Sequence, residues 1–233
     1  MRRLAAPCHR PDSLSKRAMP QLLPLLIAVD GPAASGKGTI ARALAAHYGL
    51  PHLDTGMLYR AVAVSLLRFG GDPGEEFEAV RAVSGLNQVG PEDPELRTEI
   101  AGSIASRISA YPAVRAALLE RQREFAAQAG GAVLDGRDIG TVIAPHAVAK
   151  LYVTASAEVR ATRRVAELLA RGTPAHYEDV LIDIRGRDAR DSGRESAPLS
   201  CADDADRLDT SALDVDAAIA RAIELVEARR RSA

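Results

Sequence analysis

The chemistry of this chain concentrates first in Gly31-Pro32-Ala33-Ala34-Ser35-Gly36-Lys37-Gly38-Thr39. The stretch fits G-x-x-x-x-G-K followed by Gly-Thr. Such glycines let successive backbone N–H groups turn inward around a phosphate. A helix opening at the same point adds partial positive charge, and Lys37 adds a full charge aimed at the terminal phosphates. Thr39 is the hydroxyl expected nearest a magnesium ion, because Gly38 stands where Ser or Thr usually follows the lysine. The expected ligand is a nucleoside triphosphate. An Asn-Lys-x-Asp guanine reader is absent, which argues against a GTP-driven switch.

Two further turns carry polar groups at predicted strand ends. One is Asp54-Thr55-Gly56-Met57-Leu58-Tyr59-Arg60 and the other Asp135-Gly136-Arg137-Asp138. Open α/β sheets bind ligands at the carboxyl ends of their strands. Arginines then recur: Arg160, Arg163, Arg164 and Arg171 on one predicted helix, and Arg187 and Arg194 around Asp191 on another. Arg187, Asp191 and Arg194 share a face if that helix persists. Alternating signs of charge also fit a merely solvated face. Two phosphorylated substrates would give the arginines a purpose, since each phosphate monoester carries about −1.5 to −2. There is no H-R-D-type loop to supply a catalytic base. A phosphate acceptor needs none, because its attacking oxygen is already ionised. Alignment and charge stabilisation can then carry the reaction.

The elements that must position these groups alternate strand and helix, as in a parallel sheet covered on its faces. Leu25–Asp30 is a continuous apolar run ahead of the phosphate loop. Thr39–Tyr48 reads as a helix stopped by Gly49, and Leu53 lies in a second short strand. Leu58, Ala61, Val62, Ser65 and Leu66 form a helical stripe ended by Gly70-Gly71. Residues 70–99, with Pro73, Pro91 and Pro94, read as the least regular part. Helices follow at Glu99–Ser109 and Pro112–Gln128, then strands at Ala132–Asp135 and Val148–Thr154. Ser156 is placed to cap a helix running towards Arg171. His176–Arg190, a short strand at Arg207–Thr210 and a terminal amphipathic helix at Asp216–Arg229 complete the series.

Composition narrows the function classes. The 233 residues are 47% hydrophobic with a formal net charge of -1, which is too apolar and too neutral for a disordered chain. Aromatic residues make up only 3%, which argues against single-stranded nucleic acid bound by base stacking. The two cysteines, Cys8 and Cys201, and five scattered histidines indicate neither a disulfide framework nor a zinc site. No apolar run is long enough to span a bilayer. Residues 1–19 are basic and broken by Pro7 and Pro11. They are expected to be a disordered tail or an over-called start with Met19 first. The expected setting is the cytoplasm, with no membrane or nucleic-acid partner, as a monomer.

The loop G-P-A-A-S-G-K-G-T, the turn D-T-G-M-L-Y-R, D-G-R-D-I-G-T and R-D-A-R-D-S-G-R, in this order and spacing, resemble bacterial cytidylate kinases. D-G-R-D-I-G-T is the most specific of the four. The resemblance implies an α/β P-loop kinase fold, three-layered around a central parallel sheet. It implies a core at 20–60 and 112–233, a lid within it at roughly 160–195, and a nucleoside-monophosphate lobe at 61–111. It also implies transfer of the γ-phosphate of ATP to CMP or dCMP with Mg²⁺. By matching position, Thr55, Arg60, Gly136 and Arg137 belong to the acceptor phosphate site, and Tyr59 is a further substrate-binding residue. Ser106, Arg115 and Asp138 belong to the cytosine site, and Arg187, Asp191 and Arg194 approach ribose and phosphates. Arg163 and Arg164 resemble lid arginines that clamp the moving phosphoryl group. Lys37, Arg137, Arg163, Arg164 and Arg187 are therefore the expected catalytic residues. A kinase of the same fold acting on AMP, UMP or a non-nucleotide, and a non-catalytic nucleotide-binding or regulatory protein, are the competing readings.

Overall fold

The computed structural model describes residues 24–232. The expected tail at 1–19, the alternative start at Met19 and Cys8 lie outside the described residues.

Strand β1, Leu25–Asp30, is buried along nearly its whole length. Its side chains alternate between two apolar layers, as the period-two geometry of a strand requires. Strands β2 (His52–Asp54), β3 (Gly131–Gly136), β4 (Ala149–Thr154) and β5 (Asp206–Asp209) join it in the order β2-β3-β1-β4-β5. Every pairing is parallel. A parallel sheet needs helices on both faces. Ile27 and Val29 point into one layer, with Leu44 and Ala41 of helix α1 (Lys37–Tyr48) and Ala222 and Val226 of the C-terminal helix (Val215–Ser232). Leu26 and Ala28 point into the other, with Leu134, Ile139 and Ala126. Fully burying each such Leu or Ile contributes roughly 1.5–3 kcal/mol. Gly49 ends α1 in the left-handed region at φ 65°, its N–H returning to the carbonyl of Ala45.

A separate apolar cluster lies among helices α2 (Thr55–Arg68), α3 (Glu76–Ala82), α4 (Glu99–Ile108) and α5 (Pro112–Ala126). Val62, Val64, Leu66, Ile108 and Leu118 are sealed within it. The stretch 70–99 is more ordered than its prolines suggest. It holds α3 and two 3₁₀ segments, Val83–Gln88 and Pro94–Arg97. Pro94 occupies a first-turn position, where its missing N–H costs nothing, and Asp93 caps the segment by accepting from the N–H of Glu95 at 3.1 Å. Seven residues burying only Ala79 and Ala82 give α3 too little apolar contrast to register as a period.

Helix α6, Ala157–Ala170, begins at Ser156, whose hydroxyl accepts from the N–H of Val159 at 3.3 Å. Helix α7, Tyr177–Ser192, stops before Arg194. The face that Arg187 and Asp191 share on α7 therefore reaches Arg194 through the following loop. The C-terminal helix is α8. Among the described residues no helix is long and apolar enough to cross a membrane.

Candidate active site

The loop after β1 is shaped by close approach. A Cβ on Gly31 would lie 2.0 Å from the carbonyl oxygen of Val153. Gly36, at φ 89°, is the N-cap of α1 and offers no side-chain acceptor, and the first turn of α1 holds no acid. The first amides of α1 are therefore left for an external anion. Ala34 adopts φ 58° without being glycine, a conformation that stores local strain at the loop's crest. Ser35 Oγ is buried with no partner among the described residues. Lys37 Nζ donates to the carbonyl of Pro32 at 3.2 Å and so folds back over the loop.

A cleft of about 720 Å³ opens over this loop. Ala33 through Thr39 line it, together with Asp54, Arg60, Asp135, Gly136, Arg137, Arg163, Arg164 and Arg187. Burial, and then the charge of Arg137, push Lys37 down to about 7. Lys37 is only half-buried, so cleft water tempers that shift, and the charge of a bound phosphate would reverse it. Burial and Arg137 likewise lower Arg187 to about 10, which leaves it protonated at neutral pH. The cleft concentrates cations whose mutual repulsion an anion relieves.

Behind the cleft lies a smaller pocket lined by Thr55, Tyr59, Ser106, Arg115, Asp138 and Arg194, among others. Arg115 pairs with Asp138 there, and both side chains are almost fully buried. Burial raises the Asp138 carboxyl, and Arg115 opposes that rise. Ser106 Oγ has no partner among the described residues and lines this pocket. Burial alone would raise Asp191, but Arg137 and Arg194 hold it below the usual carboxylate range. Arg137 Nε donates to Asp191 at 2.8 Å, and Arg194 pairs with the other oxygen. Gly136, Arg137 and Arg187 line both cavities.

Other anticipated residues line these cavities while held by protein partners. Thr55 donates its hydroxyl to the carbonyl of Asp135 at 2.8 Å. Arg60 donates to the carbonyls of Leu96 and Thr98 at 2.8 and 2.9 Å. Arg163 donates to Thr210 Oγ1 at 2.9 Å and to the Thr210 carbonyl at 2.6 Å, so it braces the loop after β5 at the cleft wall. Arg164 pairs with Glu167 and with Glu99 of α4, bridging the two sides of the cleft.

Several participants had no role assigned from the sequence. Arg160 is buried, forks onto Asp188 at 3.0 and 2.6 Å, and donates to the carbonyl of Ala33 in the phosphate loop at 3.2 Å. His52 Nε2 lies 2.7 Å from Asp135 Oδ1. Thr210 Oγ1 donates to the carbonyl of Ser35 at 3.1 Å. The sequence placed Arg160 on the arginine-bearing helix but gave no cue to its partners, Asp188 and the Ala33 carbonyl. Local sequence contains nothing that pairs Thr210 with Ser35.

The family profile described as cytidylate kinase matches residues 27–228. The chain is 61% identical over 209 residues to a cytidylate kinase of Xanthobacter autotrophicus, an alignment covering 88% of this chain and 99% of that one. It is 55% identical over 206 residues to one from Rhodopseudomonas palustris, covering 88% and 97%. It is 54% identical over 205 residues to one from Caulobacter vibrioides, covering 88% and 96%. Among solved structures, an uncharacterised protein from Eubacterium ventriosum aligns with TM-score 0.52 at 13% identity, over 87% of this chain and 98% of that one, and shares the fold. On these matches the chain belongs to the cytidylate kinase family.

Proposed function

We propose that the cleft transfers the γ-phosphate of ATP to CMP or dCMP, giving CDP or dCDP, with the two substrates entering from opposite sides of Arg137 and Arg187. The observation that carries this reading is that the two cavities share part of their lining. The phosphate-loop cleft and the small polar pocket share Gly136, Arg137 and Arg187. A phosphoryl group passing between them meets both guanidinium groups on the way.

The residues then divide the work. Gly31, Pro32, Ala33, Ala34, Ser35, Gly36, Lys37, Gly38 and Thr39 hold the ATP phosphates. Lys37 follows the charge of the terminal phosphates. Thr55, Tyr59, Arg60 and Arg137 border the acceptor phosphate. Asp191 orients Arg137 and Arg194 towards acceptor ribose and phosphate. Arg163 and Arg164 stand at the lid side. Asp138 accepts from the N4 amino group of cytosine, and Arg115 donates to N3 or O2. Ser106, with its hydroxyl unengaged, completes the base pocket. Uracil would turn O4 towards the carboxylate, setting two acceptors against each other.

The acceptor oxygen is already ionised. It forms the new P–O bond as the bond to the β-phosphate oxygen breaks, and no side chain has to remove a proton. Alignment and charge stabilisation carry the catalysis. Mg²⁺ fits the donor set: Thr39 offers a hydroxyl and Asp54 and Asp135 offer hard carboxylate oxygens in the same cleft. When bound it would neutralise phosphate charge. The enzyme is read as a cytoplasmic monomer.

The test is a coupled assay with ATP and Mg²⁺ across CMP, dCMP, UMP and AMP. CMP and dCMP should turn over with far higher kcat/KM. Equal turnover of UMP or AMP would sink the cytosine assignment.

A further inference from the structure

We propose that Asp30 is a positioning residue for acceptor recognition, its carboxylate clamping the turn that carries Arg137 and Asp138. Asp30 is the last residue of β1 and immediately precedes the phosphate loop. It sits in register opposite Gly136 of β3. Its side chain turns away from the nucleotide cleft and is buried. Oδ1 accepts from the N–H of Ile139 at 2.8 Å, and Oδ2 accepts from the N–H of Gly140 at 2.7 Å. These two amides open the π-helical turn Ile139–Ile143, directly after Asp138. That turn has no side-chain cap of its own. One carboxylate from the neighbouring strand thus satisfies two consecutive amides and fixes where the backbone leaves β3.

The same side chain joins the two substrate sites. Its backbone leads into the phosphate loop, and its oxygens hold the turn that faces the base pocket. Both oxygens must accept, so the ionised form is the one that clamps. Protonation would convert one oxygen to a hydroxyl and release an amide. Burial raises the Asp30 carboxyl to about 7, with the nearby charge of Asp138 adding to the rise and Arg137 opposing it. Tyr152 and Lys150 of β4 and Cys201 complete its titratable surroundings. The clamp therefore loosens as pH falls through neutrality.

The inference rests on the reading of Asp138 as the cytosine acceptor, so the experiment separates the two. KM for CMP and for ATP, and the CMP-to-UMP ratio of kcat/KM, are measured for wild type, Asp30→Asn and Asp138→Ala between pH 6 and about 8.5. Asn keeps the shape but turns an amino group towards one N–H. Asp30→Asn should raise KM for CMP about tenfold or more, the scale of one lost charge-assisted hydrogen bond, and lower the CMP-to-UMP ratio. KM for ATP should stay within about twofold, below the size of any lost contact. Protonation of the CMP phosphate, whose second pKa is about 6, raises KM for CMP in both enzymes as pH falls, so wild type should show an additional rise below neutral pH that Asp30→Asn lacks. The wild-type CMP-to-UMP ratio cancels the phosphate titration that both acceptors share, so its fall below neutral pH tests the clamp even if the variant folds poorly. A wild-type CMP-to-UMP ratio that ignores pH, or equal increases in both KM values in the variant, would overturn the clamp. If Asp138→Ala relaxes the base preference and Asp30→Asn leaves it intact, the clamp fails while the base reading stands. If Asp138→Ala leaves the preference intact, the base reading fails and the clamp falls with it.

Discussion

Replacing Asp138 by Ala tests base recognition most directly, because the structure allows its two consequences to be sized separately. Asp138 and Arg115 are paired in the small pocket with side chains 7% and 10% exposed. Without the carboxylate, Arg115 keeps, among the described residues, only contacts at 3.4 Å to Tyr59 Oη and the carbonyl of Ser109. Removing one member of a buried ion pair costs about 3–5 kcal/mol. At ~2–4 °C per kcal/mol for a chain of this size, Tm should fall on the order of 10 °C. The lost contact to the cytosine amino group is charge-assisted and worth about 1.5–3 kcal/mol. That is roughly a 10- to 150-fold loss in kcat/KM for CMP, at a factor of ten for every ~1.4 kcal/mol. UMP loses nothing comparable, because its O4 faced an acceptor in the native pocket. Preference for CMP over UMP should fall by the same factor. Asp138→Asn should narrow the preference further, since an amide can present N–H to O4 or carbonyl to N4. The assay is ADP release with each monophosphate, run well below the Tm of each variant. A folded Asp138→Ala enzyme with the native CMP-to-UMP ratio would refute cytosine recognition by this carboxylate.

Three other outcomes follow from the same geometry. Lys37→Ala should lower phosphoryl transfer by at least ~10²–10³, as loss of a donor at a developing charge does, while circular dichroism stays native; an active Lys37→Ala enzyme would remove Lys37 from the mechanism. Arg160→Lys keeps the charge but cannot make the fork onto Asp188 or reach the Ala33 and Ala155 carbonyls together. Asp188 is partly exposed, so the cost should be about 1–3 kcal/mol rather than that of a sealed pair, read as a drop of several degrees in Tm with a higher KM for ATP; an unchanged Tm would contradict the brace. Asp30 makes stability depend on pH in a stated direction. Its pKa is 3.8 ordinarily and about 7 in the fold, so the folded state holds the extra proton between these values. Stability from this group is therefore full below about pH 4 and is lost as pH rises towards 7. Denaturant titrations of wild type and Asp30→Asn over this range should diverge steadily, with the variant lacking that decline; parallel curves would show that Asp30 does not titrate there.

The local readings held where a short stretch contained its own physics. Leu25–Asp30, the glycine stop at Gly49 and the Ser156 cap each depend on neighbours within a few residues, and each was legible. Residues 70–99 were not. Helix α3 is held by packing of Ala79 and Ala82 against α2 and α5, and that packing depends on chain far away in sequence. The candidate site divides in the same way. The phosphate loop is contiguous, so its residues announce one another. The arginines announced their charge but not their partners. Arg163 bracing Thr210, Arg164 bridging to Glu99 and Arg60 resting on the Leu96 and Thr98 carbonyls are decided by where the chain returns.

By itself the sequence determined the strand that feeds the phosphate loop, the loop's chemistry, and the order of motifs that marks the family. These are local patterns of apolarity, glycine and charge. Only the tertiary structure decided that Arg137 and Arg187 stand between two cavities, that Arg160 ties the phosphate loop to α7, and that Asp30 holds the turn after Asp138. The last of these joins residues 109 positions apart. Parallel pairing of β1 with β3 sets Asp30 beside Gly136, and burial then obliges its carboxylate to find the two amides that the turn leaves open.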